Sequence, residues 1–373
     1  GLYSIYYYYN DACEISNVER ALNKANTDKI IFQTKYLPET GLNSGLLDTF
    51  TMQYIINDVT KTYQEKYSYD DFQRTKEVTN NKIKYQIEYQ NQEQPRPSTS
   101  KLNNYLINKY ISSFNETTYQ TEEITYDLRG NITEINGLSN VKYTYDEVNR
   151  LTSEETATNI INYSFDNKGR LISITNTNKS DNTINSKLFT YNTTNNYDQI
   201  TKVNNDTISY DLNGNISEYQ GKKYIYQQGH QLKRILDEEN DIGYEYSYDE
   251  NGIRKEKRTY KISTNENIET TDYILEGNKI LVESTYSYKE SKTTKILKFL
   301  YGNNGVEGFI WNNQEYYYIK NILGDVIAII DSQNNIKVTY KYDAYGNFEE
   351  IVNDISFKDL NPFTYRSYYF DRE

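Results

Sequence analysis

Aromatic and polar side chains alternate with a period of two along much of the chain. The clearest segments are Tyr143/Tyr145, Tyr163/Phe165, Tyr224/Tyr226 and Tyr244/Tyr246/Tyr248. Because successive side chains of a β-strand point to opposite faces of its sheet, this alternation places the rings of each segment on one face. The pattern therefore predicts β-strands that each present a row of aromatic rings.

A short phrase recurs after these segments: an aromatic residue, an Asp, a few turn residues that usually end in Gly, and then an aliphatic residue. The copies are Tyr126-Asp127 with Gly130, Tyr145-Asp146, Phe165-Asp166 with Gly169, Tyr210-Asp211 with Gly214, and Tyr248-Asp249 with Gly252. The Asp can accept backbone N–H groups within a turn, and Gly can adopt a positive φ without strain. A spacing of about twenty residues suits two strands and two turns. The phrase therefore predicts an all-β fold of tandem antiparallel hairpins, laid side by side in a solenoid-like sheet.

The patterns divide the chain into three segments. Residues 1–50 lack the phrase, and a capping-box pattern followed by helically spaced apolar residues predicts a short helix near 17–26. Residues 51–298 form the predicted hairpin array, with a loop that contains two prolines near 90–100. Residues 299–373 carry different phrases and form a predicted end segment.

Composition favours an extended sheet over a compact globule. The chain of 373 residues has 42 Tyr and few aliphatic residues, so Tyr must supply much of the buried surface. A thin sheet lets each ring pack on its neighbour while its hydroxyl reaches water. The net charge of −12 argues against a nucleic-acid or anionic-membrane surface, and no apolar run is long enough to span a bilayer.

Candidate catalytic and metal-binding residues are few. His230 is the only histidine and lies in a Gln-rich turn, and Cys13 is the only cysteine, which excludes an intrachain disulfide. One Asp in each hairpin favours turn capping over calcium binding, since a calcium site gathers six or more oxygen ligands. The residues therefore predict no catalytic site, no metal site and no cofactor.

Three further phrases distinguish the end segment. They are Tyr318-Ile-Lys-Asn-Ile-Leu-Gly324, Tyr342-Asp343-Ala-Tyr-Gly346 and Asn361-Pro362-Phe-Thr-Tyr365-Arg366. Together with the repeated turn phrase, they resemble the Rhs, or YD-repeat, proteins and their Rhs-associated core. This family includes the C components of insecticidal toxin complexes and the teneurin shells. The resemblance covers about residues 122–373, and the spacer after residue 198 resembles Rhs proteins of low-GC Gram-positive bacteria.

The resemblance implies a strip of hairpins that spirals into a hollow shell around a C-terminal toxic domain. It further implies that the core closes one end of the shell and, in several members, cleaves the chain just beyond itself with paired aspartates. The family's core normally continues past the position of Glu373, so we expect a truncated core and a cleavage site outside these residues. A shell of this family generally needs more repeats than the chain holds, so we also expect a partial shell. Residue 1 is not Met, which also indicates a piece of a longer protein.

The predicted function is therefore structural: part of the shell of a secreted or cell-surface bacterial toxin, with no enzymatic activity of its own. The expected partner is the protein's own C-terminal toxin domain or another toxin polypeptide. An alternative is a surface adhesion module without cargo that binds glycans through Tyr faces and Trp311, the only tryptophan. Autoproteolysis is a third hypothesis, and it requires sequence beyond Glu373. Arg366 is expected to hold the end segment to a carboxylate.

Overall fold

A computed structural model describes residues 5–9, 15–22, 28–38, 42–80, 82–90, 105–194 and 196–373. The described residues form β-strands and two short 3-10 helices, and they include no α-helix. None of the described helices is long and apolar enough to cross a membrane. The chain forms two compact units, one of Gly1–Lys142 with Phe299–Glu373 and the other of Tyr143–Lys298.

The first unit is built from antiparallel strands. They are β1 (Ile5–Tyr9), β2 (Ile15–Ala21), β3 (Lys29–Tyr36), β4 (Leu47–Ile56), β5 (Val59–Tyr69), β6 (Thr75–Thr79), β7 (Ile83–Tyr89), β8 (Ile107–Phe114), β9 (Thr117–Tyr126), β10 (Ile132–Asn136), β27 (Gly305–Trp311), β28 (Gln314–Lys320), β29 (Val326–Asp331), β30 (Ile336–Tyr342) and β31 (Phe348–Val352). Each strand from β1 to β9, and from β27 to β30, pairs with the next strand in the chain. The 3-10 helices are Ile355–Phe357 and Tyr365–Ser367.

The second unit repeats the same antiparallel pattern. Its strands are β12 (Leu151–Glu155), β13 (Asn159–Phe165), β14 (Leu171–Asn178), β15 (Ile184–Tyr191), β16 (Ile200–Val203), β17 (Asp206–Thr207), β18 (Ser209–Tyr210), β19 (Ile216–Tyr219), β20 (Lys222–Gln227), β21 (Gln231–Asp237), β22 (Ile242–Tyr248), β23 (Arg254–Lys261), β24 (Asn267–Glu276) and β25 (Lys279–Ser287). Two strands, β11 (Val141–Tyr145) and β26 (Lys292–Gly302), contain the unit boundaries. The predicted tandem hairpins are thus confirmed.

The helix predicted near 17–26 is wrong for residues 17–21, which lie in strand β2. Val18 pairs with Tyr7 on one side and with Phe32 on the other. Pairing with strands on both sides uses the backbone groups that a helix would need, so tertiary context overrides the local helical pattern. Residues 23–27 lie outside the described residues, as do Cys13 and all but residue 90 of the predicted loop near 90–100.

The two units bury their side chains differently. In the first unit, the side chains that are 0% exposed concentrate in the end segment: Phe299, Phe309, Tyr318, Ile319, Val326, Ala328, Ile329 and Val338. In the second unit, strands such as β14 and β20 consist mainly of half-buried residues. Half-buried strands are what a thin sheet requires, since few residues there have neighbours on every side. The division of the chain at residues 50 and 298 remains a prediction.

Candidate functional site: the repeat turns and a buried carboxylate cluster

The Asp side chain closes the first copy of the repeated turn. Oδ1 of Asp127 accepts the backbone N–H groups of Arg129 and Asn131, each at 2.9 Å. Oδ2 accepts the side-chain amide of Asn131, also at 2.9 Å, which is the main reason that the pKa of Asp127 is lowered. Gly130 completes the turn with φ +87°, a conformation that costs a side-chain-bearing residue about 1–2 kcal/mol.

The other copies have the same geometry. In each, Oδ1 of the Asp accepts two backbone N–H groups at 2.8 to 3.0 Å; the residues are Asp146, Asp166, Asp211 and Asp249. The fourth turn position has a positive φ in every case, at Asn149, Gly169, Gly214 and Gly252. These carboxylates are therefore occupied by their own turns, which leaves them poorly placed to bind a ligand.

In three copies the Tyr of the phrase ties its strand to an earlier strand of the chain. Tyr126 donates its hydroxyl to the carbonyl of Ile107 at 2.7 Å, and Tyr210 donates to that of Ile200 at 2.6 Å. Tyr248 donates in the same way to Leu232. These three hydroxyls therefore bind backbone carbonyls of earlier strands, an interaction that the sequence did not predict.

In two copies an Arg follows the turn and reaches the next repeat. Arg150 places Nε 2.6 Å from Oδ2 of Asp146, and its guanidinium carbon lies 4.6 Å from the centre of the Phe165 ring. Arg170 is bound to its own Asp166 and lies 4.4 Å from the ring of Tyr191. Successive turns are therefore joined through Asp, Arg and ring contacts.

Replacement of Arg150 tests whether these contacts between successive turns stabilise the second unit. We expect Arg150→Ala to lower the thermal midpoint of the second unit by about 2 °C, because it loses an ion pair and a ring contact that are each weak when exposed. Arg150→Asn should lose roughly half as much, since Asn in the same position of two other turns still binds the Asp, as Asn131 and Asn215 do. Differential scanning calorimetry measures both variants. An unchanged midpoint for Arg150→Ala would show that these contacts do not stabilise the second unit.

The end segment contains three further turns of this kind, of which the one at Asp331 has Asn334 at the position of positive φ and the other two have Gly there. In the turn at Gly324, Asn321 replaces the Asp, and its Oδ1 accepts the N–H groups of Leu323 and Asp325 at 3.0 and 2.9 Å. Gly324 has φ +85°. In the turn at Gly346, Asp343 accepts the N–H groups of two turn residues, and the glycine has φ +86°. The end segment thus continues the turn chemistry of the array.

The last residues fold back onto these turns. A Cβ on Gly346 would lie 2.7 Å from the ring of Tyr365, so only glycine leaves room for that ring. The hydroxyl of Tyr342 donates to the carbonyl of Val326 at 2.7 Å, and Tyr365 donates to that of Ala344 at 2.8 Å. The carbonyl of the buried Pro362 accepts the N–H of Phe370 at 2.7 Å.

Arg366 lies beside a buried carboxylate of the same region. Its backbone N–H donates to Oδ1 of Asp325 at 2.9 Å, and its Nε lies 3.8 Å from the same oxygen. Its Nη1 donates to the carbonyl of Leu323 at 2.8 Å. The side chain of Asp325 is only 3% exposed, so Arg366 supplies a nearby positive charge to a carboxylate that water barely reaches.

A set of side chains on strands β4, β5, β7 and β9 binds the backbone of residues 299–322. The contacts, which we call the seam, are Tyr54 Oη to Phe299 O (2.8 Å), Tyr301 N to Met52 Sδ (3.1 Å), Asn303 N to Glu65 Oε2 (3.0 Å), Tyr85 Oη to Tyr318 O (3.2 Å), Gln120 Nε2 to Lys320 O (3.2 Å) and Ile322 N to Glu122 Oε2 (2.7 Å). These contacts give backbone groups of residues 299–322 side-chain partners, which matters most where burial excludes water. None of these contacts could be predicted from the sequence, because the partners lie 200 to 249 residues apart.

A cluster of charged residues lies at the seam. Glu65 accepts the hydroxyls of Tyr63 and Tyr67 at 3.1 and 2.5 Å, in addition to its seam contact. Lys320 places Nζ 2.7 Å from Oε1 of Glu307, and the side chains are 11% and 7% exposed. Oε2 of Glu307 is buried and has no hydrogen-bond partner in the part of the chain that the structure describes.

Burial raises the pKa of two carboxyl groups at the seam. It raises the pKa of Glu122 to about 7, against the opposing hydrogen bond from Ile322 and with a further upward contribution from the charge of Asp325. Burial also raises the pKa of Glu307 above its ordinary value, although the charge of Lys320 acts in the opposite direction. Both carboxyls therefore retain their protons to a higher pH than exposed glutamates do.

His230 and Trp311, the remaining candidate residues, contact other side chains of the chain. His230 is exposed, with Nδ1 2.6 Å from Oδ1 of Asn215. Trp311 packs edge to face on Phe357, with ring centres 5.4 Å apart. Within the described ranges, no group of three or more His, Cys, Asp and Glu side chains is placed to hold a metal ion.

Tandem hairpins closed by Tyr-Asp turns define a YD-repeat protein. The chain belongs to the Teneurin YD-shell family, whose model matches residues 80–373. This match confirms the predicted relationship to the Rhs and YD-repeat proteins.

Two relatives come from low-GC Gram-positive bacteria, as the sequence predicted. The chain is 32% identical over 235 residues to the tRNA3(Ser)-specific nuclease WapA of Bacillus spizizenii. It is 30% identical over 235 residues to the tRNA nuclease WapA of Bacillus subtilis. Each match covers 61% of this chain but only 9% of the relative.

A solved structure shares the fold. The Tc holotoxin pore of Photorhabdus luminescens superposes with a TM-score of 0.78 at 15% sequence identity. The superposition covers 99% of this chain and 19% of the other chain. It confirms the predicted all-β fold of the YD-repeat shells.

Proposed function

We propose that this chain forms part of the protective shell of a secreted or cell-surface bacterial toxin, and that the shell encloses a toxic polypeptide of the same protein. The observation that carries the proposal is the family match, which spans residues 80–373 and thus most of the hairpin array. The nuclease names of the relatives support a toxic cargo, since this chain corresponds to only 9% of their length.

The geometry supports a structural role for the chain itself. The Asp of each repeated turn is bound by backbone N–H groups, as Asp127 is, and is not free to act as an acid or base. The hairpins pair strand to strand, which satisfies the backbone groups of neighbouring strands. Exclusion of proteases by enclosure would then be the mechanism, and any cleavage of the chain would require other residues.

The adhesion alternative gains little from the structure. The ring of Trp311 packs on Phe357, and its centre lies 6.3 Å from that of Tyr316. These contacts within the first unit cover part of the indole surface that a glycan would need. A glycan platform needs an aromatic face open to solvent.

Protease protection tests the proposal. In the complete protein encoded by the gene, we expect trypsin to cut the polypeptide that follows residue 373 at least about tenfold more slowly than the same polypeptide expressed alone. Mass spectrometry of the digest over time measures both rates. Equal rates, or a gene that encodes no such polypeptide, would contradict enclosure.

A further inference from the structure

The seam buries more negative than positive charge. Glu65, Glu122, Glu307 and Asp325 are 2% to 7% exposed. Among the described residues, the cations within 4 Å of these carboxylates are Lys320, paired with Glu307, and Arg366, which is 39% exposed beside Asp325. A buried carboxylate without a compensating charge is costly when ionised and much less so when protonated.

The carboxylates differ in how well their ionised forms are supported. Glu65 accepts three hydrogen bonds, from two Tyr hydroxyls and one backbone N–H. Glu122 accepts one, from the backbone N–H of Ile322. Glu307 is bound at Oε1 by Lys320, while its Oε2 has no partner in the described residues. Asp325 accepts the backbone N–H of Arg366 and the side-chain amide of Asn321. Glu122, with one hydrogen bond and no cation beside it, is therefore the least stabilised of these carboxylates, and Glu307 follows, with an ion pair at one oxygen only.

Among the described residues, the groups around these two carboxyls are acidic or neutral, except for Lys320, which is paired with Glu307. Glu122 pairs with Tyr110 of strand β8, lies against Gly137 after strand β10, and is repelled by Asp325. Glu307 faces Lys320 and Glu65, and its charge also acts on four tyrosines of strands β5, β7 and β8: Tyr63, Tyr67, Tyr85 and Tyr110. These phenols have raised pKa values, chiefly because of burial, and remain neutral.

We propose that the seam is a pH-sensitive joint, in which protonated Glu122 and Glu307 hold the end segment firmly on strands β4 to β9 and their ionisation loosens it. The seam lies within the first unit, so this behaviour is independent of any cargo. The joint would be tight in mildly acidic surroundings and weaker in alkaline ones.

The direction of the pH dependence follows from the difference in proton binding between the folded and unfolded states. Glu122 has a pKa of about 7 in the folded chain, against an ordinary value of 4.5. The folded state therefore binds the proton more tightly than the unfolded state does. The resulting stabilisation is fully present below pH 4.5 and is lost as the pH rises through 7. Glu307, whose pKa is raised by burial, acts in the same direction.

Hydrogen exchange of the whole chain tests the joint. We measure the exchange rate of the amides around Ile322 and correct it for the intrinsic pH dependence of exchange. We expect the corrected rate to rise about tenfold between pH 6 and pH 8 for each of the two carboxyls that ionises in this range. Peptides that cover strands β20 to β23 of the second unit serve as an internal control. Mass spectrometry resolves both regions in the same sample.

Substitutions identify the carboxyls. Glu122→Gln keeps an oxygen that can accept the N–H of Ile322 but cannot ionise, so it should remove about tenfold of the acceleration between pH 6 and pH 8. Glu123→Gln, at the exposed neighbouring position of the same strand, is the matched control and should leave the acceleration unchanged. A double variant, Glu307→Gln with Lys320→Met, removes the second carboxyl without leaving an unpaired charge.

The proposal is overturned if exchange at the seam depends on pH no more than exchange in strands β20 to β23 does, or if it slows as the pH rises. It is also overturned if Glu122→Gln and the Glu307/Lys320 double variant both retain the full acceleration of the unsubstituted chain. Unfolding of one variant would leave the other to decide, because the two substitutions lie on different strands.

Discussion

Lys320→Met should destabilise the first unit by about 3–5 kcal/mol at pH 8. The substitution removes the ammonium group 2.7 Å from Oε1 of Glu307 and leaves that carboxyl buried without a charge partner. Water does not reach the site readily, since Glu307 is only 5% exposed. The cost should be smaller at pH 5, because a protonated Glu307 needs no counter-charge. Urea titration followed by Trp311 fluorescence measures it, since the single tryptophan lies on strand β27 of this unit.

The same substitution at a surface pair is the control. Lys61 lies 3.3 Å from Glu315, but the two side chains are 40% and 28% exposed. Solvent screens this pair, so Lys61→Met should cost less than about 1 kcal/mol. Addition of Glu307→Gln to Lys320→Met should recover a large part of the loss, because the buried charge disappears with its partner. Equal losses for the two lysines, or no recovery in the double variant, would show that burial of the pair is not the cause.

The repeat turns could be predicted from the sequence because their interactions are local. Asp127 binds residues two and four positions later, and Gly130 needs only its own backbone freedom. Such contacts recur wherever the phrase recurs. The helix predicted near 17–26 also rested on a local pattern, the capping box. That pattern does not determine the structure there, because strand β2 pairs with a strand on each side.

The seam could not be predicted, because its partners share no sequence pattern. Glu65 and Glu122 lie in alternating Tyr-rich strands that read like any other part of the array, and their partners lie 238 and 200 residues further along the chain. Glutamate is usually exposed, so nothing in the composition marks these two as buried. One indirect signal was available: Gly302, beside Glu65, is a glycine at the end of a strand, where a close approach is common.

Gly308→Ala is the second substitution with a large expected effect. Gly308 pairs with Tyr317 between strands β27 and β28, and a Cβ there would lie 2.2 Å from the carbonyl oxygen of Tyr316 and 3.1 Å from Cα of Tyr317. Both atoms belong to the backbone of a strand with buried side chains, so no flexible group can move aside. We expect the two strands to separate locally, with a loss of about 3 kcal/mol or more in the free energy of unfolding. Trp311 fluorescence during urea titration measures this loss.

Gly130→Ala separates this steric effect from the conformational cost of replacing any glycine. Nothing lies within 4 Å of a Cβ at Gly130, but its φ of +87° is unfavourable for alanine, so we expect a loss of about 1–2 kcal/mol. Gly130→Asn should cost less, because Asn tolerates this conformation and occupies the same turn position at Asn149, where φ is +65°. At Gly308, by contrast, Asn should be at least as harmful as Ala, since any Cβ meets the same backbone. A smaller loss for Gly308→Asn than for Gly308→Ala would mean that conformation, not contact with strand β28, requires the glycine.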